Sequence, residues 1–424
     1  MKHYNWVEPS RIDDSDTVAM WSETFSIHSK LVPLLWQRGI VTIESAEHFF
    51  KPSVTKLHNP FLMADMQKAV DRIVLALDSN QKILVYGDYD VDGTTAVAMV
   101  YSFLKQCNAS VLFYVPDRYA EGYGVSLKGM EYAISERCSL IITLDCGIKA
   151  HETIEYVTQK GIDVIVCDHH EPAETLPLAF AVLDPKRADC KYPFKELSGC
   201  GVGYKLLYAL CKQRSISIKD NLNCYLDLLA VSIASDIVPI VDENRVLMHF
   251  GLLKIMHKPH LGIKAMKETS GMFGKITVSD VVFKIGPRIN AAGRMYNAKT
   301  VIELLISDNY DIAVDICKQI NEYNISRRAV DKSITEQALA LLNNDKHTAS
   351  KKTNVLYNPL WHKGVIGIVA SRVLEQYYKP TIIFCGEGDM ISASARSVAD
   401  FDLYKALEQC SDLLANYGGH TYAA

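Results

Sequence analysis

Between residues 83 and 183 the chain alternates short apolar runs with longer amphipathic segments, and this alternation restricts its possible folds more than any other feature. Each run is long enough for one buried strand, and helical spacing of apolar residues follows it. Strands that alternate with helices of this length pair in parallel. The sequence therefore predicts an α/β fold, a parallel sheet with helices on both faces. The predicted strands are 83–86, 111–115, 140–144, 164–167 and 182–183.

The first predicted strand runs into three carboxylates, Asp88, Asp90 and Asp92, with Gly93 next. At a separation of about 4 Å and an effective dielectric constant near 20, each like-charge pair costs roughly 4 kcal/mol, and a divalent cation removes that cost. An acidic turn is the alternative, because Asp and Gly are ordinary turn residues. A calcium-binding EF-hand loop is excluded, because its twelfth position is Met99 rather than Glu and a strand precedes it.

Acidic and imidazole side chains also follow two further predicted strands. Asp145 follows the third strand, and Asp168, His169 and His170 follow the fourth. Because ligands bind at the carboxyl ends of strands in open parallel sheets, we expect these groups to meet the first aspartates at one edge. Each group alone has an ordinary alternative, a helix N-cap for the aspartates and a structural role for the histidines. Carboxylates with imidazole, and without converging thiolates, suit Mn²⁺ or Mg²⁺ better than zinc.

Another candidate ligand, Asp236, ends a mostly apolar helix predicted over 225–236. A carboxylate at the carboxyl end of a buried helix opposes the helix dipole, so it needs a cationic partner such as a metal ion. An exposed aspartate in the following turn is the alternative. The Gly-rich segment 198–205 lacks the spacing of a phosphate-binding loop, and we interpret it as the beginning of a helix over 202–210.

The net charge is −4, yet the segment 244–300 holds ten Lys or Arg residues against two acidic ones. A solvated surface and a phosphate-facing surface explain this bias about equally well. Within the segment, Arg288 and Arg294 flank Asn290 and a run of small residues that permits close backbone approach. Arginine suits bidentate contacts to phosphate, whereas a packed turn with two surface arginines is the alternative.

Composition and the remaining patterns indicate an ordinary globular protein, with 49% hydrophobic and 22% charged residues. The beginning of the chain has no apolar signal core, and no run of about 18 apolar residues exists, which argues against export and membrane spanning. The eleven cysteines include no Cys-x-x-Cys pair. This pattern predicts reduced thiols and a cytoplasmic location.

At 424 residues the chain is expected to contain more than one domain. We expect a lead-in over 1–70 without recognisable chemistry, and a catalytic α/β domain over 71–320. A connecting helix and polar linker are expected over 321–353. A second, smaller α/β domain is expected over 354–424, and its end on a Gly-Gly-His turn predicts that this domain is incomplete.

Taken together, the motifs resemble those of the DHH phosphoesterases. The matching motifs are Asp88-Tyr-Asp-Val-Asp-Gly93, Asp145-Cys-Gly147, Asp168-His-His170 and Asp236. Three later motifs are similar to those of the RecJ-type exonucleases within that family: Gly286-Pro-Arg-Ile-Asn-Ala-Ala-Gly-Arg-Met295, Trp361-His-x-Gly-Val-Ile-Gly-Ile-Val-Ala-Ser-Arg372 and Gly418-Gly-His420. The resemblance runs from about residue 80 to the end. It implies a parallel-sheet DHH phosphoesterase domain joined by a long helix to a smaller α/β DHH-associated domain.

The resemblance also implies a set of catalytic and metal-binding residues. Two Mn²⁺ or Mg²⁺ ions would be held by Asp90, Asp92, Asp145, His169 and Asp236. His170 would be a further catalytic residue beside them. Relatives have a histidine four residues before the first paired aspartate, where this sequence has Tyr86. Asp88 is therefore expected to be a substitute ligand.

A second set of residues is implied to contact the substrate. Arg118, Ser394 and Arg396 match positions that hold a 5′ phosphate, and His420 matches one that touches the DNA backbone. Arg288, Asn290 and Arg294 are expected to face phosphates as well.

The function implied is 5′→3′ degradation of single-stranded DNA to 5′ mononucleotides in DNA repair and recombination. Single-stranded DNA, a helicase and a single-strand-binding protein are the implied partners, with no membrane. RecJ-type enzymes have an oligonucleotide-binding domain beyond the Gly-Gly-His motif, and we expect it to be missing from residues 1–424. One alternative is a DHH phosphodiesterase of short oligonucleotides or cyclic dinucleotides, against which the chain length and the motif at 286–294 argue. The other is a non-catalytic replication scaffold, against which the retained carboxylates argue.

Overall fold

A computed structural model of the chain describes residues 15–388, 390–415, 417–419 and 421–424. The strands are β1 (Ile83–Gly87), β2 (Val111–Tyr114), β3 (Leu140–Leu144), β4 (Asp163–Cys167), β5 (Ala181–Leu183), β6 (Asn354–Asn358), β7 (Thr381–Glu387) and β8 (Met390–Arg396). The helices are α1 (Ser15–Phe25), α2 (Val32–Trp36), α3 (Ile43–Phe50), α4 (Met66–Asp78), α5 (Val91–Gln106), α6 (Leu127–Ser135), α7 (His151–Thr158), α8 (Gly199–Gln213), α9 (Ile218–Asn221), α10 (Leu226–Ser235), α11 (Asp242–His257), α12 (Leu261–Thr269), α13 (Val278–Asp280), α14 (Gly286–Met295), α15 (Lys299–Leu305), α16 (Tyr310–Asn344), α17 (Ile366–Tyr377) and α18 (Leu403–Glu408).

The first five strands form a parallel sheet in the order β2-β1-β3-β4-β5. Successive side chains of a strand point to opposite faces of a sheet. Ile83 and Val85 accordingly pack into a core with α4, α5, α8 and α10, whereas Leu84 and Tyr86 pack with α6 and α7 on the other face. Because helices cover both faces, β1 and β3 are buried along their whole length. The predicted α/β class is confirmed.

The order of the strands reverses between β1 and β3, because β2 lies on one side of β1 and β3 on the other. Doubly wound sheets bind their ligands in the crevice at such a point, outside the carboxyl ends of the strands. Helix α5 begins there at Val91, because the Asp90 side chain accepts a hydrogen bond from Gly93 N at 3.0 Å and caps the helix. Asp145, directly after β3, has a left-handed backbone with φ of 60°.

The segment that carries the predicted arginine pair is helical, which the sequence analysis did not predict. A π-helical turn over Val281–Ile285 leads into α14, and Pro287 lies in the first turn of that helix, where a missing N–H is harmless. The predicted close backbone approach is found at Gly293. A Cβ atom on this residue would come 2.5 Å from the carbonyl oxygen of Tyr89. The small residue therefore lets α14 pack directly on the acidic loop after β1.

The long helix α16, of 35 residues, connects the large sheet to a second sheet in the order β6-β7-β8. β6 and β7 are parallel, with α17 between them in the chain, and β8 is antiparallel to β7. Asp331 of α16 is fully buried, and its Oδ1 lies 2.5 Å from Arg372 Nη1 of α17. This ion pair fastens the second sheet unit to the connecting helix.

The lead-in has a small core of its own, formed by Trp21, Val32, Leu35 and Ala46. It packs on the larger unit through α11, where the guanidinium group of Arg245 lies over the ring of Phe49, 3.5 Å from its centroid. No helix of the described residues is long and apolar enough to cross a membrane. The eleven cysteines all have free thiols in this structure.

Candidate metal centre and phosphate pocket

The side chains predicted from the strand ends and from α10 meet in the crevice between β1 and β3. His169 Nε2 lies 3.2 Å from Asp145 Oδ1, 3.5 Å from Asp236 Oδ2 and 3.7 Å from Asp92 Oδ2. Two sets of three residues place one ligand atom each within 4.8 Å of the others: Asp92, His169 and Asp236, and Asp145, His169 and His170. His169 belongs to both sets, so the two sets adjoin. The structure thus brings these predicted ligands together.

Several atoms at the centre of this group are buried without a hydrogen-bond partner in the described part of the chain. They are His169 Nε2, Asp145 Oδ1 and Asp236 Oδ2. Buried polar atoms in native proteins are normally paired, so a converging unpaired set points to a cationic ligand. Carboxylate oxygens with an imidazole nitrogen are donors that suit Mn²⁺ and Mg²⁺. The residues present therefore fit the divalent cations predicted from the sequence.

The carboxylates repel one another at this centre. Burial and the charges of Asp92 and Asp90 raise the pKa of Asp236 to about 8. The same causes raise the pKa of Asp145 well above its ordinary value. Burial lowers the pKa of His169, which keeps the imidazole neutral and able to coordinate a metal. Repulsion between these carboxylates therefore favours their protonation, and a divalent cation would neutralise the same negative charge in place of the protons.

Asp92 is held by the amino end of α8 rather than by a basic side chain. Its Oδ2 accepts a hydrogen bond from Gly199 N at 2.6 Å, and its Oδ1 accepts one from Cys200 N at 2.8 Å. The hydroxyl of Ser232 donates to Oδ1 at 2.7 Å. A carboxylate is favourable at the positive end of a helix dipole. Gly199 leaves room for the site, because a Cβ there would come 2.6 Å from Asp145 Cβ.

This role of the Gly-rich segment was not predicted from the sequence. The segment is not a nucleotide phosphate loop, since the N–H groups at this helix start bind a carboxylate of the protein itself. The signal available in the sequence was the run of glycines at a helix start. Nothing local to that run identifies which anion it binds.

His170 is oriented by hydrogen bonds at both ring nitrogens. Its Nδ1 donates to Asp168 Oδ1 at 2.7 Å, and its Nε2 lies 3.1 Å from the hydroxyl oxygen of Tyr123. Burial lowers the pKa of His170, but the hydrogen bond and charge of Asp168 outweigh burial and raise the pKa to about 9. Burial raises the pKa of Asp168, but His170 reverses this and holds it at about 2. The sequence did not predict Tyr123 or the positioning role of Asp168.

Tyr86 and Asp88 both contact the loop after β2. The Tyr86 hydroxyl donates to the Gly124 carbonyl at 2.9 Å and accepts from Ser126 N at 3.0 Å, so it holds this loop. Asp88 Oδ1 accepts from Gly124 N at 3.3 Å, whereas its buried Oδ2 has no partner among the described residues. Burial and the charge of Asp90 raise the pKa of Asp88. Asp88 and Asp90 are in neither ligand set, so their roles as direct ligands stay predictions.

Four arginines converge where the second sheet unit meets the first: Arg118, Arg294, Arg327 and Arg396. Burial and the charges of the other three lower the pKa of Arg294 to about 10. Arg396 Nη1 lies 3.2 Å from the hydroxyl oxygen of Ser394. Clustered guanidinium groups create a positive potential that suits phosphate. Arg327, on the connecting helix, was not predicted from the sequence.

The amino end of α17 borders the same pocket. A Cβ on Gly367, in the first turn of α17, would come 2.9 Å from Ser394 Oγ and 3.0 Å from Arg396 Nη2. A Cβ on Gly364 would come 2.5 Å from the hydroxyl oxygen of Tyr119 on the first unit. Both motif glycines therefore permit close contacts that build the pocket. A helix amino end adds N–H groups and a dipole that favour an anion.

The remaining predicted DNA-binding residues are not all brought together. Asn290 and Arg294 line a cavity of about 230 Å³ beside the arginine cluster. Arg288 instead donates a hydrogen bond to the backbone carbonyl of Lys284, one turn earlier, at 2.6 Å. Burial and the charge of Arg328 lower the pKa of Arg288. Arg288 is therefore not a member of the cluster. His420 lies outside the described residues.

A cleft of about 1010 Å³ runs along the metal centre between the two sheet units. Asp90 and His170 line one side, and Tyr404 and Tyr417 line the other, with Tyr123 also in the wall. The ring centroids of Tyr404 and Tyr417 are 6.0 Å apart. Aromatic side chains of this kind suit the stacking of unpaired nucleobases.

Two family models match the chain, one on each sheet unit. The DHH family, N-terminal domain matches residues 82–233. The DHHA1 domain matches residues 352–424. The first match contains β1 to β5, and the second contains β6 to β8.

Curated relatives match over nearly the whole chain. The single-stranded-DNA-specific exonuclease RecJ of Bacillus subtilis is 36% identical over 97% of this chain and 52% of its own length. RecJ of Escherichia coli is 34% identical over 95% of this chain and 73% of its own length. This chain belongs to the RecJ family. The resemblance inferred from the motifs is confirmed, although the chain spans only about half the length of the Bacillus RecJ.

Solved RecJ structures share the fold described above. An exonuclease RecJ bound to manganese is 32% identical, with a TM-score of 0.75 over 85% of this chain and 89% of that one. RecJ of Thermus thermophilus in complex with Mn²⁺ is 29% identical, with a TM-score of 0.83 over 96% of this chain and 57% of that one. A further structure of the Thermus RecJ contains Mg²⁺. RecJ proteins thus bind the two cations that the donor atoms of this chain suit.

Proposed function

We propose that this RecJ-family chain is a divalent-cation-dependent exonuclease that degrades single-stranded DNA in the 5′→3′ direction to 5′ mononucleotides. The single observation that carries the proposal is a cluster of buried, unpaired carboxylate and imidazole atoms that adjoins an arginine pocket within one fold. The names of the curated relatives support the same activity over the phosphodiesterase and scaffold alternatives. They also support a role in DNA repair and recombination.

The residues that would hold two Mn²⁺ or Mg²⁺ ions are Asp90, Asp92, Asp145, His169 and Asp236, with Asp88 as a further candidate. When bound, two such ions supply an activated water and stabilise the attacking and leaving oxygens. The chain itself fixes Asp92 through backbone N–H groups at 2.6 and 2.8 Å, so this carboxylate is preorganised.

His170 is proposed to act next to the reacting phosphate. Asp168 Oδ1 accepts a hydrogen bond from His170 Nδ1 at 2.7 Å and thereby fixes the orientation of the ring. Tyr123 contacts the opposite ring nitrogen at 3.1 Å. The imidazole therefore presents Nε2 to the cleft that also contains Asp90.

The arginine pocket is proposed to bind the 5′ phosphate and so to set the direction of digestion. Arg118, Ser394 and Arg396 would contact the terminal phosphate, and Arg294 adds a buried positive charge behind them. Arginine offers paired N–H donors that match phosphate oxygens. A strand held by its 5′ end places its first phosphodiester over the metal centre.

The cleft with Tyr123, Tyr404 and Tyr417 is proposed to hold the strand itself. Stacking on aromatic rings tolerates any base but requires the base to be unpaired, which gives single-strand preference without sequence preference. Asn290 and Arg288 are proposed to contact more distant phosphates. A helicase and a single-strand-binding protein, implied as partners by the resemblance, stay predictions.

Digestion of a 5′-phosphorylated single strand, labelled at either end, tests the proposal. With Mn²⁺, the 5′ label should be released at once as a mononucleotide, while the 3′-labelled strand shortens progressively. Duplex DNA, EDTA and the Asp145→Asn variant serve as controls and should show no release. Release that begins at the 3′ label, or cleavage that produces internal fragments first, would overturn the proposed polarity.

A further inference from the structure

A second cleft lies at the far end of the helices that carry the metal centre. Its volume is about 620 Å³, which is within the range of small-molecule sites. Lys105 at the end of α5 and Leu228 near the start of α10 both line it. The opposite ends of these two helices reach the metal centre, at Asp90 and Asp236. Because α5 has 16 residues, the two sites are about 24 Å apart.

The lining of this cleft carries an excess of positive charge. Lys105, Lys254 and Lys258 line it, and none of the three forms an ion pair with another described residue. The acidic residue of the lining is Asp308, which is exposed. Cations are ordinary at the carboxyl end of a single helix. Here the ends of α5 and α11 bring their lysines to one cavity, which the dipole of either helix does not explain.

A histidine in the same wall is held by a fully buried carboxylate. His260 Nδ1 donates to Asp227 Oδ1 at 2.8 Å, and its backbone N–H donates to Asp227 Oδ2 at 2.7 Å. Asp227 is 0% exposed. The imidazole also stacks on Tyr225, with ring centroids 5.2 Å apart and planes at 16°. Burying a carboxylate is costly, and this one fixes an imidazole whose Nε2 bonds to no described residue.

The lining also includes apolar side chains, among them Leu228, Leu261 and Leu305, together with uncharged polar residues such as Ser102 and Gln106. An anionic group and a flat apolar ring are thus both accommodated in one cavity. Lysine is a common phosphate ligand, acting as a point charge. The basic segment noted in the sequence supplies Lys254, Lys258 and His260, and the metal centre does not use these residues.

We propose that this cleft is a second nucleotide-binding site, with Lys105, Lys254, Lys258 and His260 on the phosphate and the leucines on the base. A free mononucleotide and a nucleotide within a DNA strand present the same chemistry. The proposal does not depend on the exonuclease activity, because it concerns binding at a site that shares no residue with the metal centre.

Equilibrium dialysis against radiolabelled dAMP, and separately against a dT15 oligonucleotide, tests the proposal. The full chain is used in EDTA with the Arg396→Ala substitution, which weakens the 5′-phosphate pocket. The test variant adds Lys254→Ala and Lys258→Ala. The control variant adds Lys264→Ala and Lys284→Ala, which remove the same charge from the same basic segment but outside the cleft, where these lysines lie over Tyr310 and beside Asp280.

The test variant should bind at least about tenfold more weakly than its parent, and the control variant less than about twofold. A loss of dAMP binding in the test variant but not in the control identifies a free nucleotide as the ligand, and such a loss for dT15 alone identifies a strand. Circular dichroism melting of each variant verifies folding, and His260→Ala provides a second test if the lysine variant melts early. Absence of saturable binding of either probe, or equal losses in test and control variants, overturns the proposal.

Discussion

Asp92 Oδ2 lies 2.6 Å from the backbone nitrogen of Gly199, which places a candidate metal ligand on the amino end of α8. Backbone N–H groups at a helix start cannot rotate away as a side chain can. The position of the carboxylate is therefore determined by the packing of α8 against α5, before any cation binds. Supports of this kind tune metal sites in general.

Gly199→Ala is expected to lower exonuclease activity about 100-fold, because displacements near 1 Å at a catalytic site have effects of this size. The new Cβ would lie 2.6 Å from Asp145 Cβ. Either Asp145 must shift, or the start of α8 must shift together with the Asp92 carboxylate that it holds. Activity and Mn²⁺ affinity by calorimetry measure the effect. Gly201→Ala is the matched control, because its Cβ would make ordinary contacts at 3.4 Å. Equal losses in both variants would contradict the supporting role of Gly199.

The metal-free chain is expected to lose stability as the pH rises to about 8. Asp236 has its pKa raised from 3.8 to about 8 by burial and neighbouring carboxylates. A raised pKa means that the folded state binds the proton more tightly, so this stabilisation is complete below the unfolded-state pKa and is lost as the pH rises through about 8. Thermal melting in EDTA between pH 5 and 9 measures the loss.

Mn²⁺ should restore the melting temperature at the alkaline end of that series, since it replaces the protons as the positive charge. Asp236→Asn should flatten the pH dependence in EDTA and weaken the Mn²⁺ effect. If the melting temperature of the metal-free chain rises between pH 5 and 9, the prediction is contradicted.

Tyr123→Phe is expected to reduce kcat about tenfold, the usual size of one lost hydrogen bond to a charged or polarised group. The substitution removes the 3.1 Å contact to His170 Nε2 but keeps the ring in the cleft. The Michaelis constant should therefore change much less than kcat. Tyr132→Phe on α6, outside the cleft, is the control. An effect confined to KM would indicate that Tyr123 contacts only the strand.

Arg396→Lys is expected to reduce the preference for 5′-phosphorylated over 5′-hydroxyl ends about tenfold. Lysine keeps the charge but loses the paired donors, and Arg396 already lies 3.2 Å from Ser394. Competition between the two substrates in one reaction measures the preference directly. If the two substrates slow by the same factor, Arg396 contributes only general electrostatic attraction.

The features predicted best from the sequence are those determined by local patterns. Continuous apolar runs indicated β1 and β3, and the sheet then placed Asp90, Asp145 and His169 at one edge, because parallel strands share their carboxyl ends. Asp236 was also predicted as a ligand, because a carboxylate at the carboxyl end of an apolar helix opposes the helix dipole and needs a cationic partner. Each of these predictions depends only on residues that are close together in the sequence.

Contacts between distant segments were not predictable in this way. Arg288 and Arg294 are both arginines of one motif, yet only Arg294 joins the cluster, because helical geometry places two residues six positions apart on different faces of the helix. Arg327 belongs to a long polar helix that has no local sign of function. The anchoring of Asp92 by Gly199 depends on how α8 packs on α5, which no spacing in the sequence shows.

The left-handed backbone at Asp145, with φ of 60°, decides which inactive form of the protein is useful as a substrate trap. Asparagine tolerates this conformation well, whereas alanine is strained in it. Asp145→Asn should therefore keep the strand end intact while removing a negative charge that repels the phosphates of the substrate. Crystals of that variant with a short 5′-phosphorylated strand would capture the DNA before cleavage, with every other side chain of the centre in place.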